Sequence, residues 1–404
     1  MSDLPMIPII KPWMDDREAQ AALRPMTTGW VTQGPEVAAF EKEFAEAVGA
    51  PFACAVSNCT TALHLALLAV GVRPGDEVIT VSQSYIASAN SIRYCGAIPV
   101  FIDVDPRTYN MDPARIERVI TERTRAIMCV HQIGMPCDLA AILEIARRRN
   151  LPLIEDAACA IGSEIKWNGQ WERIGKPHAD IACFSFHPRK VVTTGDGGML
   201  TTANPEWDKQ FRLLRQHGMS VPDTVRHGSR EVIFESYPVL GYNYRMTDLQ
   251  AAVGREQLKR LPEIVARRRE LAVRYAALIH EAAPEIVPPF EPEWARSNFQ
   301  SYMVRLPEEV DQKQVMQSML DAGIATRRGV MCAHREPAYK IEPWTCGSPP
   351  DCCPPDQCCN LVQSEQAQEH CIILPLYHQM TEADQDRVVS ALAAGVNSAR
   401  AVSA

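Results

Sequence analysis

PFACAVSNCTTALHLALLAVGVRPGDEVITV, residues 51–81, decides the fold. The run FACAVS (52–57) reads as a strand, TTALHLALLAVG (60–71) as a helix, and EVITV (77–81) as a second strand. Strand, helix and strand in this order imply parallel strands joined by a crossover helix. The alternation continues outward. A helical segment lies around 86–95, and IPVFIDV (98–104), RAIMCVH (125–131) and LPLIEDA (151–157) read as further apolar strands. PARIERVI and DLAAILEIARRRN supply helices between them, and PEVAAFEKEFAEAVG (35–49) precedes the series with helix spacing and a Gly49 stop. The expectation is an α/β fold with a mostly parallel central sheet flanked by helices. Ligands in such sheets sit at the carboxyl ends of the strands.

The character changes near residue 250. An amphipathic helical region (249–283) leads into the proline-rich APEIVPPFEPEW, then SYMVRLP as a strand and DQKQVMQSMLDAG and ADQDRVVSALAAGV as helices. We expect a large domain with an N-terminal arm over 1–250 and a smaller C-terminal α/β domain over 251–404. At 404 residues the chain is too long for one ordinary core.

The net charge of −8 argues against a nucleic-acid surface. The most basic run, Arg267-Arg268-Arg269, reads as a solvated helix face. No stretch approaches the roughly 20 apolar residues that span a bilayer. The opening MSDLPMIPIIKPWMDD has neither a basic start nor a sustained apolar core, so no signal peptide is expected. The 14 cysteines then read as mostly reduced thiols of a cytoplasmic protein, with Cys54, Cys95, Cys129 and Cys183 as small core hydrophobes. CGSPPDCCPPDQCC (346–359) lacks paired Cys-x2-Cys geometry and reads as a loop, so no metal is expected.

Four segments carry chemistry. In DIACFSFHPRKVVTTGDGGM (180–199) an apolar run enters a polar turn with Ser185, His187 and Lys190. A lysine flanked by hydroxyls and a histidine suits a Schiff-base nucleophile. Ser57-Asn58-Cys59-Thr60-Thr61 stands where a strand meets a helix, a setting for an anion or for an ordinary N-cap. Glu155-Asp156 ends a buried strand, where a carboxylate needs a partner. GYNYRMTDLQAAVG (241–254) places Asn243 and Arg245 in a polar turn before a helix.

Together with GWVTQGPEVAAFEKEFAEAVG, VSNCTTALHLAL, GDEVITVSQSYIASANSI, EDAACAIGS, GIATRRGVMCAHREPAY and ILPLYHQMT, in order along nearly the whole chain, these segments resemble the DegT/DnrJ/EryC1/StrS sugar aminotransferases. Those are pyridoxal-phosphate enzymes of the aspartate aminotransferase fold, fold type I. The resemblance implies that Lys190 forms the Schiff base with pyridoxal 5'-phosphate and shuttles a proton. Asp156 then holds the pyridinium nitrogen protonated. Thr60, Thr61 and Ser185 bind the phosphate, Tyr85 stacks on the ring, and Cys159 and His187 lie beside the cofactor. Asn243 reaches the cofactor of the neighbouring subunit, which makes the active unit a homodimer with shared sites. Arg245 is a candidate for the donor carboxylate and His334 for the sugar site, with Arg327 and Arg328 available for a diphosphate.

The implied reaction moves an amino group from an amino acid, glutamate, to a keto sugar, nucleotide-linked or not; a keto-cyclitol acceptor and a non-catalytic ligand sensor are the alternatives. Lys190 disfavours a dehydratase, which has His there. Desolvation and the cationic ring would depress the Lys190 pKa. Three departures from the family pattern bear on the substrate: Cys159 for Gln or His, Cys59 for Gly, and Asp196 for Glu.

Overall fold

The computed structural model describes residues 5–222, 225–226, 229–348 and 357–403. Nine strands precede the long helix: β1 (Phe52–Val56), β2 (Glu77–Val81), β3 (Ile98–Ile102), β4 (Thr124–Val130), β5 (Leu153–Asp156), β6 (Glu164–Trp167), β7 (Gln170–Arg173), β8 (Ile181–Ser185) and β9 (Gly198–Thr202). Seven form the central sheet in the order β1-β9-β8-β5-β4-β2-β3. Only β9 runs antiparallel to its neighbours, β1 and β8. β6 and β7 form a separate hairpin that pairs with Ala295–Arg296.

The sheet is covered on both faces, which is why its strands read as apolar runs without polar alternation. Successive side chains point to opposite faces. Ala53, Ala55, Ile79, Val81, Ile127 and Phe184 enter one core with Phe40 and Phe44 of the helix Pro35–Val48. Cys54, Val56, Val78, Ala126, Ile154 and Cys183 enter the other with Leu63 and Leu67 of the helix Cys59–Ala69. Asp156 follows Ile154 by two residues, and Ser185 follows Cys183 by two. Both therefore fall on the face of the Cys59–Ala69 helix.

A third core lies against the far half of the helix Asp248–Ala282. Leu261, Ile264 and Val265 of that helix join the first core, whereas Leu271, Tyr275 and Ile279 join Tyr302, Val304, Ile372, Leu392 and Ile7. A three-stranded antiparallel sheet, Tyr302–Arg305 beside Cys371–Leu374 beside Arg327–Arg328, sits in this part. The partition drawn at residue 250 falls in the first turn of the long helix.

Arg268 departs from the solvated face expected of its run. It is buried where the helix passes between cores, and its Nη1 donates to the carbonyls of Phe299 and Leu376 at 3.0 Å each. Burial pushes its pKa down to about 10.

Polar anchors hold the helices onto the sheet. Asp248 accepts the backbone N–H groups of Gly34, Glu36 and Val37 at 2.7, 3.1 and 3.0 Å, capping the helix that begins at Pro35. Glu41 accepts from Ala55 N–H at 2.9 Å and pairs with Arg212 and Arg215. Burial alone would raise the Glu41 pKa; Arg215 and Arg212 outweigh it and hold the carboxyl below its ordinary 4.5. The stability that this contributes is present above pH 4.5 and lost as pH falls through the lowered value. Glu41→Ala strands the buried Arg215 guanidinium and should cost about 3–5 kcal/mol in urea unfolding at neutral pH. A cost below about 1 kcal/mol would show that the network carries little.

Candidate active site

Parallel strands deliver their following residues to one edge of the sheet. β1 leads to Ser57 and Asn58, β2 to Ser82, Gln83 and Ser84, and β4 to His131, while β5 ends on Asp156 and β8 on Ser185. This is the edge where ligands of such sheets bind.

At one end stands the N-terminus of the helix Cys59–Ala69. Asn58 caps it: its side chain accepts from Thr61 N–H at 2.9 Å, and Thr61 Oγ1 donates to Asn58 O at 2.7 Å. The Thr61 hydroxyl proton is thus engaged in the cap. Among the described residues, the Cys59 and Thr60 backbone N–H groups and the Thr60 hydroxyl have no partner. Gly198 brings Ser185 to this helix end. It pairs with Val56 on one side and Ser185 on the other. A Cβ on it would lie 2.5 Å from the backbone C and O of Asn58, so only glycine allows the approach. The Ser185 hydroxyl accepts the His187 N–H at 3.4 Å. His187 itself is exposed, and its Nδ1 accepts the Arg189 N–H at 3.2 Å; burial on its inner side lowers its pKa. Its ring holds the turn that presents Lys190.

At the centre, Lys190 Nζ lies 3.1 Å from Cys159 Sγ. Burial pulls the Lys190 pKa down, but Cys159, Cys59 and Asp156 pull it up by more, so the protein's own groups set it above its ordinary value. That is opposite to the depression expected from desolvation. Asp156 is buried and makes no ion pair among the described residues. Its Oδ1 accepts the Ala158 N–H at 3.1 Å and its Oδ2 the Ser88 hydroxyl at 2.6 Å. Glu155 points to the opposite face and meets His131 at 2.7 Å.

Two residues that sequence reasoning passed over clamp this centre from beyond the long helix. Asn298 Nδ2 donates to the carbonyls of Cys159 and Ile161, both at 2.8 Å. Gln300 Nε2 donates to Arg189 O at 2.8 Å. Nothing in SNFQS marks them, because their partners are backbone carbonyls more than a hundred residues away.

The remaining candidates lie at the rim or away from it. Tyr85 is 73% exposed. Asn243 is exposed, on a stretch bridged to Gln216 and held beside Ser57 by the Ser57 N–H to Tyr244 O bond of 2.8 Å. The Arg245 side chain has no partner among the described residues. Arg327 and Arg328 are exposed, and Arg328 pairs with Glu336 at 2.9 Å. His334 is a different case. It is buried with Nδ1 2.6 Å from Ser82 Oγ and Nε2 2.9 Å from Glu365 Oε1, so neither ring nitrogen is open to a sugar hydroxyl. Burial lowers its pKa. Of the cysteine-rich loop, Cys352 and Cys353 lie outside the described residues. Among those described, no group of three or more His, Cys, Asp or Glu is disposed to hold a metal, and no helix is long and apolar enough to cross a membrane.

The donor set fits pyridoxal phosphate. Open N–H groups and the Thr60 hydroxyl at a helix N-terminus suit the phosphate. A buried carboxylate without a cationic partner suits a protonated ring nitrogen, and a lysine amine on the same edge suits the carbonyl.

Comparison with known proteins agrees. The model of the DegT/DnrJ/EryC1/StrS aminotransferase family matches residues 12–393. GDP-perosamine synthase of Caulobacter vibrioides is 40% identical over 398 residues, covering 97% of this chain and 99% of that protein. The aminotransferase TlmJ of Streptoalloteichus hindustanus is 33% identical with a TM-score of 0.84, covering 97% of this chain and 99% of that one. Spr1654 of Streptococcus pneumoniae in its PLP form is 27% identical with a TM-score of 0.86, covering 98% and 100%. The chain belongs to the DegT/DnrJ/EryC1/StrS family and is an aminotransferase.

Proposed function

We propose that the chain moves an amino group from glutamate to the keto group of a nucleotide-linked sugar, with pyridoxal phosphate held at the strand ends. The observation that carries the reading is the Lys190 amine, the Asp156 carboxylate and the open N-terminus at Thr60 along one edge of the sheet. The 40% identity to a GDP-perosamine synthase supports the nucleotide-linked acceptor.

Pyridoxal phosphate, when bound, supplies an electron sink for the substrate carbon. The residues do the rest. Thr60, Ser185 and the Cys59 and Thr60 N–H groups hold the phosphate, while Thr61, expected there from the resemblance, spends both its donors on Asn58 and fixes the cap beside them. Asp156 keeps a proton on the ring nitrogen, and Tyr85 covers one ring face. Lys190 Nζ would shuttle the proton between the substrate carbon and the cofactor, away from the donor carbon in one half-reaction and onto the acceptor carbon in the other. Cys159 Sγ, a weak acceptor, orients that amine. Arg245, open and cationic, receives the donor carboxylate.

Exposed Asn243 and the exposed apolar side chains Val232, Phe234 and Leu240 support a homodimer in which Asn243 completes the partner's site. Sedimentation should then give twice the mass of the chain, and a monomeric active enzyme would refute it. The 14 cysteines, many of them buried as small hydrophobes, suit a reducing, cytoplasmic setting.

The acceptor is tested by offering the glutamate-treated enzyme nucleotide-linked keto sugars and a keto-cyclitol, with products read by mass spectrometry. Amination of a nucleotide-linked sugar is expected. Amination of the cyclitol alone would replace this acceptor with the other. A protein that binds these sugars and aminates none would be a sensor.

A further inference from the structure

The Asp156 carboxylate is supported by a hydroxyl chain that the reading above does not use. Ser88 Oγ lies 2.6 Å from Asp156 Oδ2, and Ser84 Oγ lies 2.8 Å from Ser88 Oγ. Ser84 and Ser88 are 3% and 1% exposed, so water does not substitute for either contact. An ionised carboxylate only accepts. Ser88 must therefore donate to Asp156, which leaves its lone pairs to accept from Ser84. The direction of the chain is fixed by chemistry: Ser84 to Ser88 to Asp156.

The segment 84–88, which carries both serines, also presents Tyr85. The Ser88 N–H donates to Tyr85 O at 3.1 Å, and Ser84 N–H is held by Ser82 O at 2.9 Å and Met331 O at 3.1 Å. The turn that carries the exposed ring is thus tied to the carboxylate through Ser88.

We propose that Ser88, backed by Ser84, is a positioning residue that holds Asp156 as an oriented anion, so that the proton it shares with the cofactor ring stays on the ring nitrogen. The inference rests on the assignment of Asp156 and Lys190 above. Hydrogen bonds to the charged form favour that form. A carboxylate stripped of its hydroxyl donor competes for the ring proton and leaves a poorer electron sink. A donor to a charged group is worth about ten- to a hundredfold in an equilibrium constant.

The test uses the full-length enzyme loaded with pyridoxal phosphate labelled with 15N in the ring. Wild type, Ser88→Ala, Ser88→Cys and Ser84→Ala are compared. Ser88→Cys keeps the side-chain volume with only a weak donor, so it carries the test if the alanine variant fails to fold. The ring 15N shift in both Ser88 variants should move toward that of neutral pyridine. The single-turnover rate with glutamate should fall about ten- to a hundredfold, with the apparent glutamate affinity within about twofold. Ser84→Ala should shift both in the same direction by less. Wild-type shifts and rates in the Ser88 variants, even with a lowered Tm, would overturn the proposal and leave Ser88 a structural residue of the Tyr85 turn. A wild-type protein that takes up no cofactor would instead overturn the assignment of Asp156 and Lys190, and this inference with it.

Discussion

Lys190→Ala should abolish transamination. Loss of a positioned proton-transfer group alone removes about 10²–10⁴ in rate, and this residue also provides the amine that anchors the cofactor carbonyl. The structure gives the side chain no other task. Among the described residues its Nζ meets only Cys159, at 3.1 Å, and the loop around it is held through backbone groups: Lys190 N–H to His187 O at 2.8 Å, and Gln300 Nε2 to Arg189 O at 2.8 Å. Truncation should therefore leave Tm within a few degrees of wild type while turnover disappears. A folded variant that still transaminates would remove Lys190 from the centre of the reaction.

Asp156→Asn should be the next most damaging change, with a loss of about 10²–10³ in the single-turnover rate with glutamate. That is the magnitude expected when one preorganised electrostatic contact is removed from a water-excluded site. The substitution keeps the shape of the side chain, so the β5–β8 pairing at Asp156 and Cys183 is undisturbed. What it removes is the negative charge, and an amide does not hold a proton on a pyridine nitrogen. Rates within about threefold of wild type would show that the ring nitrogen finds its partner elsewhere.

Much of this was legible from residues 51–81 outward, and the reason is burial. EVITV matches β2 residue for residue because all five side chains are enclosed, so Val78, Ile79 and Val81 follow one another without the alternation of a half-solvated strand. The strand β9 was missed for a related reason. Its first residue is the end of TTGDGG, which reads as a turn, yet that residue, Gly198, lets β9 sit between β1 and β8 against Asn58. Glycine signals a turn and a close approach alike.

Side-chain surroundings were less legible than elements. The resemblance that suggested His334 as a sugar contact carries no trace of Ser82 and Glu365, which engage both its nitrogens from distant segments. Arg268 sits in a run that looks solvated, and only the crossing of two cores buries it. The pKa direction at Lys190 was read from desolvation and the cationic ring, whereas among the protein's own groups Cys159, Cys59 and Asp156 act against burial. Ser88 lies in SQSYIASANS, one serine among four, and only its 2.6 Å contact with Asp156 distinguishes it.

The central claim is that Lys190 and Asp156 operate pyridoxal phosphate as an amino-group carrier. The most direct measurement is the visible spectrum of the purified enzyme, loaded with pyridoxal phosphate and titrated with glutamate without any acceptor. The account predicts that the yellow band of the lysine-bound cofactor disappears in favour of the near-ultraviolet band of pyridoxamine phosphate, with one 2-oxoglutarate released per site. A protein that binds no pyridoxal phosphate, or one whose bound cofactor no amino acid converts, would contradict it.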